Sequence, residues 1–119
     1  MDRKRNLLFF KSYCNEFIEA QKEIVREKID YVLFLLTICE RIPSKFFTHV
    51  TGTDGLFEIK IEFESNIYRI FCCFDEGNLI VLFNGFNKKS PKTPKNEIEK
   101  ALKIKKEYFN LKANKNETG

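Results

Sequence analysis

Three short apolar segments, rich in Ile, Val, Phe and Tyr, lie between residues 52 and 89. The first segment has apolar residues at alternate positions, with charged residues between them: Phe57, Ile59, Ile61 and Phe63, against Glu58, Lys60 and Glu62. Similar segments begin at Asn66 and Leu79, and turn residues separate all three. A period of two residues, with Ile, Val, Phe and Tyr enriched, is typical of β-strands. The segments therefore predict an antiparallel three-stranded meander.

The first turn sets the pairing of the first two strands. A two-residue turn at Ser65–Asn66 pairs Phe63 with Tyr68 and Glu62 with Arg69. The apolar residues of both strands then share one face, whereas a slip of one residue would place Arg69 among the phenylalanines. We therefore expect one apolar face and one face that carries the charged residues.

The second turn sets the pairing of the third strand. A turn at Asp75–Asn78 pairs Phe74 with Leu79 and puts Asn84 opposite Arg69. The third strand is apolar on both faces, which favours a strand with cover on both sides. The predicted polar face carries Lys60, Arg69 and Asn84 among Phe71, Leu82 and Phe86.

Helical periodicity dominates the first third of the chain. An apolar run at Asn6–Phe10 predicts an edge strand, Ser12 is a candidate helix N-cap, and no Gly or Pro follows before Pro43. Apolar residues recur in this stretch at steps of three and four, as in an amphipathic helix. One continuous helix would exceed the usual ~8–20 residues, so we predict a helical hairpin that breaks near Ala20–Gln21.

A third helix is predicted near the C-terminus. Thr93 is a candidate N-cap, and Pro94 suits the first helical position. Residues 111–119 are polar and are expected to be a disordered tail. An N-terminal strand, two helices, an antiparallel sheet and a final helix indicate one α+β domain over residues 1–119.

Composition and charge narrow the class of protein. The chain has 119 residues, of which 43% are hydrophobic and 32% charged, as expected for a globular protein. Residues 88 to 115 contain ten lysines and three glutamates, within a net charge of +4. This segment favours an anionic partner, with nucleic acid as the first candidate. The commoner explanation of such a segment is a solvated helix face.

The spacing of the cysteines and the length of the apolar stretches argue against metal-binding, redox and membrane-spanning proteins. Cys14, Cys39, Cys72 and Cys73 lack the spacing of a metal or redox site, so we expect structural thiols, no metal and no cofactor. We expect no signal peptide, because the charged residues Asp2 to Arg5 are followed by only a short apolar run, and no apolar stretch reaches the ~18 residues that a membrane span needs. We expect a reduced cytoplasmic protein with no membrane partner.

The candidate catalytic residues are cations. His49 is the only histidine, and no acid lies in register with it. Lys60 and Arg69 lie on adjacent predicted strands, and Lys88 and Lys89 follow the third strand. Such cations stabilise the negative charge that builds on phosphorus when a 2′-hydroxyl attacks a phosphodiester. Alternatively, Arg69 only pairs with a glutamate across the strands, namely Glu62.

Three motifs resemble the phage-related branch of the RelE/HigB/ParE toxin superfamily. They are the Gly-Leu-Phe-Glu strand in residues 52–61, Tyr68-Arg69 on the next strand, and Asn-Gly-Phe-Asn-Lys-Lys in residues 84–89, with Thr93-Pro94 after it. The resemblance extends from about Leu7 to Leu111. It implies a compact α+β fold in which two N-terminal helices pack on an antiparallel sheet.

The resemblance also implies a function. Most such proteins are mRNA endonucleases that cut within the ribosomal A site, and a cognate antitoxin, often a helix-turn-helix protein, blocks the basic face. The superfamily's basic residues fall on Lys60, Arg69, Lys88 and Lys89 as the catalytic set, and Asn84 and Lys92 complete the expected RNA-binding set. The C-terminal histidine–tyrosine pair of some relatives has no counterpart here, so the general acid and base are unassigned.

Two functional hypotheses follow. The first is a ribosome-dependent mRNA interferase, the toxin of a type II toxin–antitoxin system. The second is a non-enzymatic toxin that binds a protein, such as a ParE-like gyrase inhibitor, or an inactive phage-derived relic. The first hypothesis requires that Arg69 and Lys60 lie on the same side of the sheet and are not sealed beneath the helices.

Overall fold

A computed structural model describes residues 2–88 and 93–118 of the chain. The elements in chain order are β1 (Asn6–Phe9), α1 (Tyr13–Glu19), α2 (Glu23–Ile38), β2 (Phe47–His49), β3 (Phe57–Phe63), β4 (Asn66–Asp75), β5 (Leu79–Lys88) and α3 (Lys95–Thr118). The five strands form one sheet in the order β1-β5-β4-β3-β2. This architecture confirms the predicted α+β class. The sheet is mixed, because β1 joins β5 in parallel and the other pairs are antiparallel.

The first turn of the meander lies one residue earlier than predicted. Its central residues are Glu64 and Ser65, both in the left-handed region with φ of 46° and 66°. Two-residue hairpin turns of the favoured type require positive φ at both central positions. Lys60 therefore pairs with Arg69, instead of Glu62. Because the pairing moves by two residues, every side chain keeps its predicted face.

The second hairpin departs further from the prediction. Asp75 pairs with Leu79 across a three-residue loop, and the register shifts between Ile70 and Cys72. This β-bulge sets Phe83 and Asn84 together opposite Phe71. As a result Phe86, not Asn84, lies opposite Arg69. Leu82, predicted on the polar face, instead joins the core cluster on the other face.

Helices cover both faces of the sheet. Buried residues of α1 and α2 pack on one face, around Ile59, Ile61 and Ile70. Ala101 and Ile104 of α3 pack on the other face, against Phe71 and Phe83. The expected open polar face is therefore wrong for the region beneath α3. A period-two pattern shows which residues share a face, but it does not show which helix will cover that face.

Several helix boundaries differ from the prediction for identifiable reasons. The break between α1 and α2 lies where it was expected, but α2 ends at Ile38, five residues before Pro43. The Arg5 guanidinium donates hydrogen bonds to the carbonyl oxygens of Leu36, Cys39 and Glu40, at 3.1, 2.6 and 2.8 Å. A cation on the last carbonyls stabilises a helix end. At the C-terminus, α3 continues to Thr118, through most of the predicted tail.

Candidate functional site

Lys60 and Arg69 lie directly opposite each other on β3 and β4. Residues paired across neighbouring strands have their side chains on the same face of a sheet. The two predicted cations therefore share the face that α3 covers. Their surroundings nevertheless differ, because Lys60 is half-buried and Arg69 is only 4% exposed.

Arg69 forms a buried ion pair with Glu58 of β3. The other carboxylate oxygen of Glu58 accepts a hydrogen bond of 2.7 Å from the Thr93 hydroxyl, just before α3. Glu58 itself is 5% exposed, so the pair is sealed between the sheet and the start of the helix. In this conformation the Arg69 guanidinium does not reach the surface, which corrects the expectation of an open cationic centre.

The sequence did not single out Glu58. With Glu62 placed opposite Arg69, the predicted partner of the arginine was Glu62. In the observed register Lys60 is opposite Arg69, and Glu58 and Glu62 are its two diagonal neighbours. Glu58 is the one that α3 buries. The sequence did show that Glu58 lies on the same face of β3 as Lys60 and Glu62. That shared face could have identified Glu58 as a second candidate partner of Arg69.

Asn84 and Phe71 are also less accessible than predicted. Asn84 is 3% exposed, and neither polar atom of its side chain has a hydrogen-bond partner among the described residues. Phe71 is fully buried and stacks on Phe86, with ring centroids 5.5 Å apart. Phe71 therefore belongs to the core beneath α3, and the Asn84 side chain does not reach RNA at the surface in this conformation.

The remaining predicted cations lie at or beyond the end of β5. Lys88 is the last residue of β5 and pairs with Ile67, and only its backbone is described. Lys89 and Lys92 lie outside the described residues. Their roles stay predictions from the resemblance.

A second polar cluster connects α3 to the end of β4. The Tyr108 hydroxyl donates to Asp75 Oδ2 at 2.6 Å, and Lys112 Nζ lies 2.8 Å from the same oxygen. Burial, reinforced by the hydrogen bond to Asp75, raises the pKa of Tyr108 to about 12. Hydrogen bonds from Lys112 and Tyr108 lower the pKa of Asp75 below its usual value. Tyr108 therefore has a structural partner and positions α3.

Three of the four thiols are buried, and the histidine has a backbone partner and an aromatic contact. Burial raises the pKa of Cys14 to about 12 and that of Cys73 to about 11, and it raises the pKa of Cys72 well above the usual range. These three thiols stay protonated at neutral pH and are poor nucleophiles. His49 Nε2 lies 2.9 Å from the Thr53 carbonyl oxygen and its ring packs on Phe57.

Two other kinds of site are absent from the described residues. Across residues 2–88 and 93–118, there is no group of three His, Cys, Asp or Glu side chains that could hold a metal ion. In the same ranges, no helix combines the length and the apolar character needed to cross a membrane.

Comparisons with known proteins agree with this fold. The arrangement of helices and sheet is that of a RelE-like toxin fold: a chain in the crystal structure of the archaeal RelE–RelB complex from Pyrococcus horikoshii OT3 aligns with a TM-score of 0.54. The two chains are 11% identical, and the alignment covers 75% of this chain and 99% of the other. Residues 16–106 match the family described as phage derived protein Gp49-like (DUF891), so the chain belongs to that family.

These findings confirm the resemblance to phage-related RelE-like proteins. None of the functionally curated proteins matches the chain. The fold and the family are therefore established, whereas the activity rests on the residues themselves.

Proposed function

We propose that this protein is the toxin of a type II toxin–antitoxin system and that it cleaves mRNA in the ribosomal A site. The observation that supports this function is the RelE-like fold of a chain that belongs to the Gp49-like family. The condition that both cations lie open is met only in part, because Lys60 is half-buried whereas Arg69 is sealed with Glu58. Lys60, together with Arg69 once it is released from Glu58, would stabilise a phosphodiester whose charge increases in the transition state. Lys88, Lys89 and Lys92 join the RNA-binding set on the resemblance alone.

The sealed pair places a condition on this chemistry. Arg69 contacts RNA only if a substrate phosphate replaces the Glu58 carboxylate, which requires the start of α3 to move away from Glu58. That exchange would release a carboxylate beside Lys60. A carboxylate there is suited to accept the proton of the attacking 2′-hydroxyl. We therefore propose Glu58 as the general base that sequence reasoning left unassigned.

We also propose a cognate antitoxin as the protein partner. The structural neighbour was crystallised as a RelE–RelB complex. By analogy, a partner of this chain would cover the cationic surface around Lys60. The net charge of +4 favours an acidic partner surface, because complementary charges speed association and favour the correct partner.

One observation favours a second candidate function. Glu58 and Thr93 close the polar centre beneath α3, as expected if Arg69 only stabilises the fold. The protein would then be a non-enzymatic toxin that binds a protein such as gyrase, or an inactive phage-derived relic.

Cleavage mapping on translating ribosomes separates the two candidates. We expect the wild type to cut mRNA in the A site, and Lys60→Ala to reduce cutting strongly at unchanged stability. Lys100→Ala, which removes an exposed lysine of α3, serves as the matched control and should cut normally. Absence of cleavage by folded wild-type protein, together with inhibition of purified gyrase, would establish the second candidate.

A further inference from the structure

We propose that a groove at the edge of β3 binds a backbone phosphate of single-stranded RNA. This inference rests on the proposed function, because it extends the RNA-binding surface of the same centre. The groove, here called the edge groove, has a volume of about 160 Å³. It is lined by Lys28, Val32, Lys45, Phe46, Lys60 and Glu62.

Three distant parts of the chain form the edge groove. β2 pairs with β3 only as far as Ile59, so the edge of β3 beyond that point is uncovered by any described strand. The backbone N–H of Lys60 donates to the Phe46 carbonyl oxygen at 2.8 Å, which fixes the connection before β2 against this edge. Helix α2 provides the third wall, through Lys28 and the buried Val32.

The charges in the edge groove are not balanced. Three lysines line it against one acid, Glu62. Among the described residues, no carboxylate lies within ion-pair distance of any of the three lysine amines. Elsewhere in the molecule lysines do find acids: Lys11 and Lys112 each have a carboxylate oxygen at 2.8 Å. An uncompensated cluster of cations on a partly enclosed surface attracts an anion.

The size of the edge groove limits its ligand to a single anionic group, and the aromatic rings beside its cations favour RNA as the source of that group. An α-helix is about 10–12 Å across with its side chains, and a pocket for a drug-sized ligand occupies about 300–1,000 Å³. A groove of about 160 Å³ suits one phosphate group. Two aromatic rings lie at its cations, with the Lys45 amine 4.9 Å from the Phe46 ring centroid and the Lys28 amine 6.0 Å from that of Tyr31.

Aromatic side chains beside a cationic groove are the usual means of binding single-stranded nucleic acid without sequence preference, because any base can stack on them. Tyr31 is 55% exposed and is therefore accessible to a base. Lys60 belongs both to the edge groove and to the opposed pair with Arg69. A strand held in the edge groove would thus continue across β3 towards the proposed cleavage centre.

The test measures binding of a short fluorescein-labelled single-stranded RNA by anisotropy over a range of NaCl concentrations. The variant Lys28→Gln/Lys45→Gln removes two groove cations and leaves Lys60 in place. We expect it to reduce the slope of log affinity against log salt by about 0.7, because the groove contacts one phosphate of a single strand. Lys4→Gln/Lys22→Gln, at two exposed positions outside both the edge groove and the basic C-terminal segment, makes the same change in net charge and should keep the wild-type slope. Glu62→Gln should bind the RNA more tightly.

Two results would contradict the proposal that the edge groove binds RNA. The first is an equal loss of affinity in the two double variants, which would mean diffuse attraction to a basic surface. The second is displacement of the RNA by poly-L-glutamate at equal charge concentration, which would mean an acidic protein ligand. Ribosomal cleavage is measured separately. If the wild type does not cleave mRNA but Lys28→Gln/Lys45→Gln still weakens RNA binding, the groove is supported and the nuclease is not. If the wild type cleaves mRNA and Lys28→Gln/Lys45→Gln binds RNA normally, the groove is refuted and the nuclease is not.

Discussion

Arg69 and the edge groove show two opposite ways of holding positive charge on neighbouring strands. Arg69 is buried on β4 with Glu58 as its ion-pair partner. The edge groove, at the neighbouring strand β3, has two exposed lysines and one half-buried lysine. Among the described residues, none of these three lysines has a carboxylate partner. The two sites meet at Lys60, which lies opposite Arg69 and lines the groove.

The difference follows from the cost of removing a charge from water. A buried guanidinium needs a partner, because an isolated ion in a low-dielectric interior is strongly unfavourable. An exposed ammonium remains hydrated and needs none, so it stays available to a ligand. Arg69 therefore contributes first to the fold, whereas the lysines of the edge groove contribute first to binding. Variants at the two sites should separate stability from activity.

The largest expected effect is that of breaking the buried ion pair. Arg69→Met leaves the Glu58 carboxylate buried without its cation, which should lower the free energy of unfolding by about 3–5 kcal/mol. Urea denaturation followed by circular dichroism measures the change. Glu58→Met/Arg69→Met removes both charges and should recover most of the loss. An Arg69→Met protein as stable as the wild type would show that the pair is not sealed.

The next effect concerns the contact that closes the pair beneath α3. Thr93→Val keeps the shape of the side chain but removes the hydrogen bond to Glu58, and should cost about 1.5 kcal/mol because the acceptor is charged. Thr51→Val, at an exposed position, is the control and should stay within about 0.5 kcal/mol of the wild type. Equal stability of the two variants would argue that Thr93 is not held against Glu58 in solution.

The partly exposed cluster at the other end of α3 should respond to pH. Since the fold raises the pKa of Tyr108 from 10.0 to about 12, its contribution to stability is complete below pH 10 and is lost as the pH rises towards 12. Tyr108→Phe should cost about 1 kcal/mol near neutral pH. The difference between wild type and variant should shrink over that alkaline window. Urea midpoints measured from pH 8 to 12 check this, and a constant difference would contradict the assignment.

The smallest stability effect is expected at Lys60. Lys60→Gln should change the free energy of unfolding by no more than about 0.5 kcal/mol, since the residue is half-buried and has a like charge opposite it. The same variant should relieve growth arrest when the protein is expressed without an antitoxin. Parallel urea and growth measurements test both parts. A loss of stability like that of Arg69→Met would place Lys60 with the buried pair.

Local alternation was sufficient to predict which residues share a face of each strand. Glu58, Lys60 and Arg69 lie on one face in the structure as in the prediction, because side chains of a strand alternate with a period of two. The break between α1 and α2 was likewise predicted, because one helix through both segments would be about 30 residues long, well above the usual ~8–20. The family motifs, read from strand sequences, were visible at the same level.

The strand pairings were decided by the geometry of the turn and the bulge, and the burial of the site residues was decided by contacts between segments far apart in the chain. The turn at Glu64 and Ser65 and the bulge at Asn84 chose the partners of Arg69, and period-two alternation does not distinguish pairings that differ by two residues. Packing of α3 buried Arg69, and the meeting of α2 with the edge of β3 brought Lys28 and Lys45 beside Lys60. The burial of a side chain, and the meeting of residues from different elements, depend on which surfaces pack together in three dimensions. The sequence of a single helix or strand does not determine that packing.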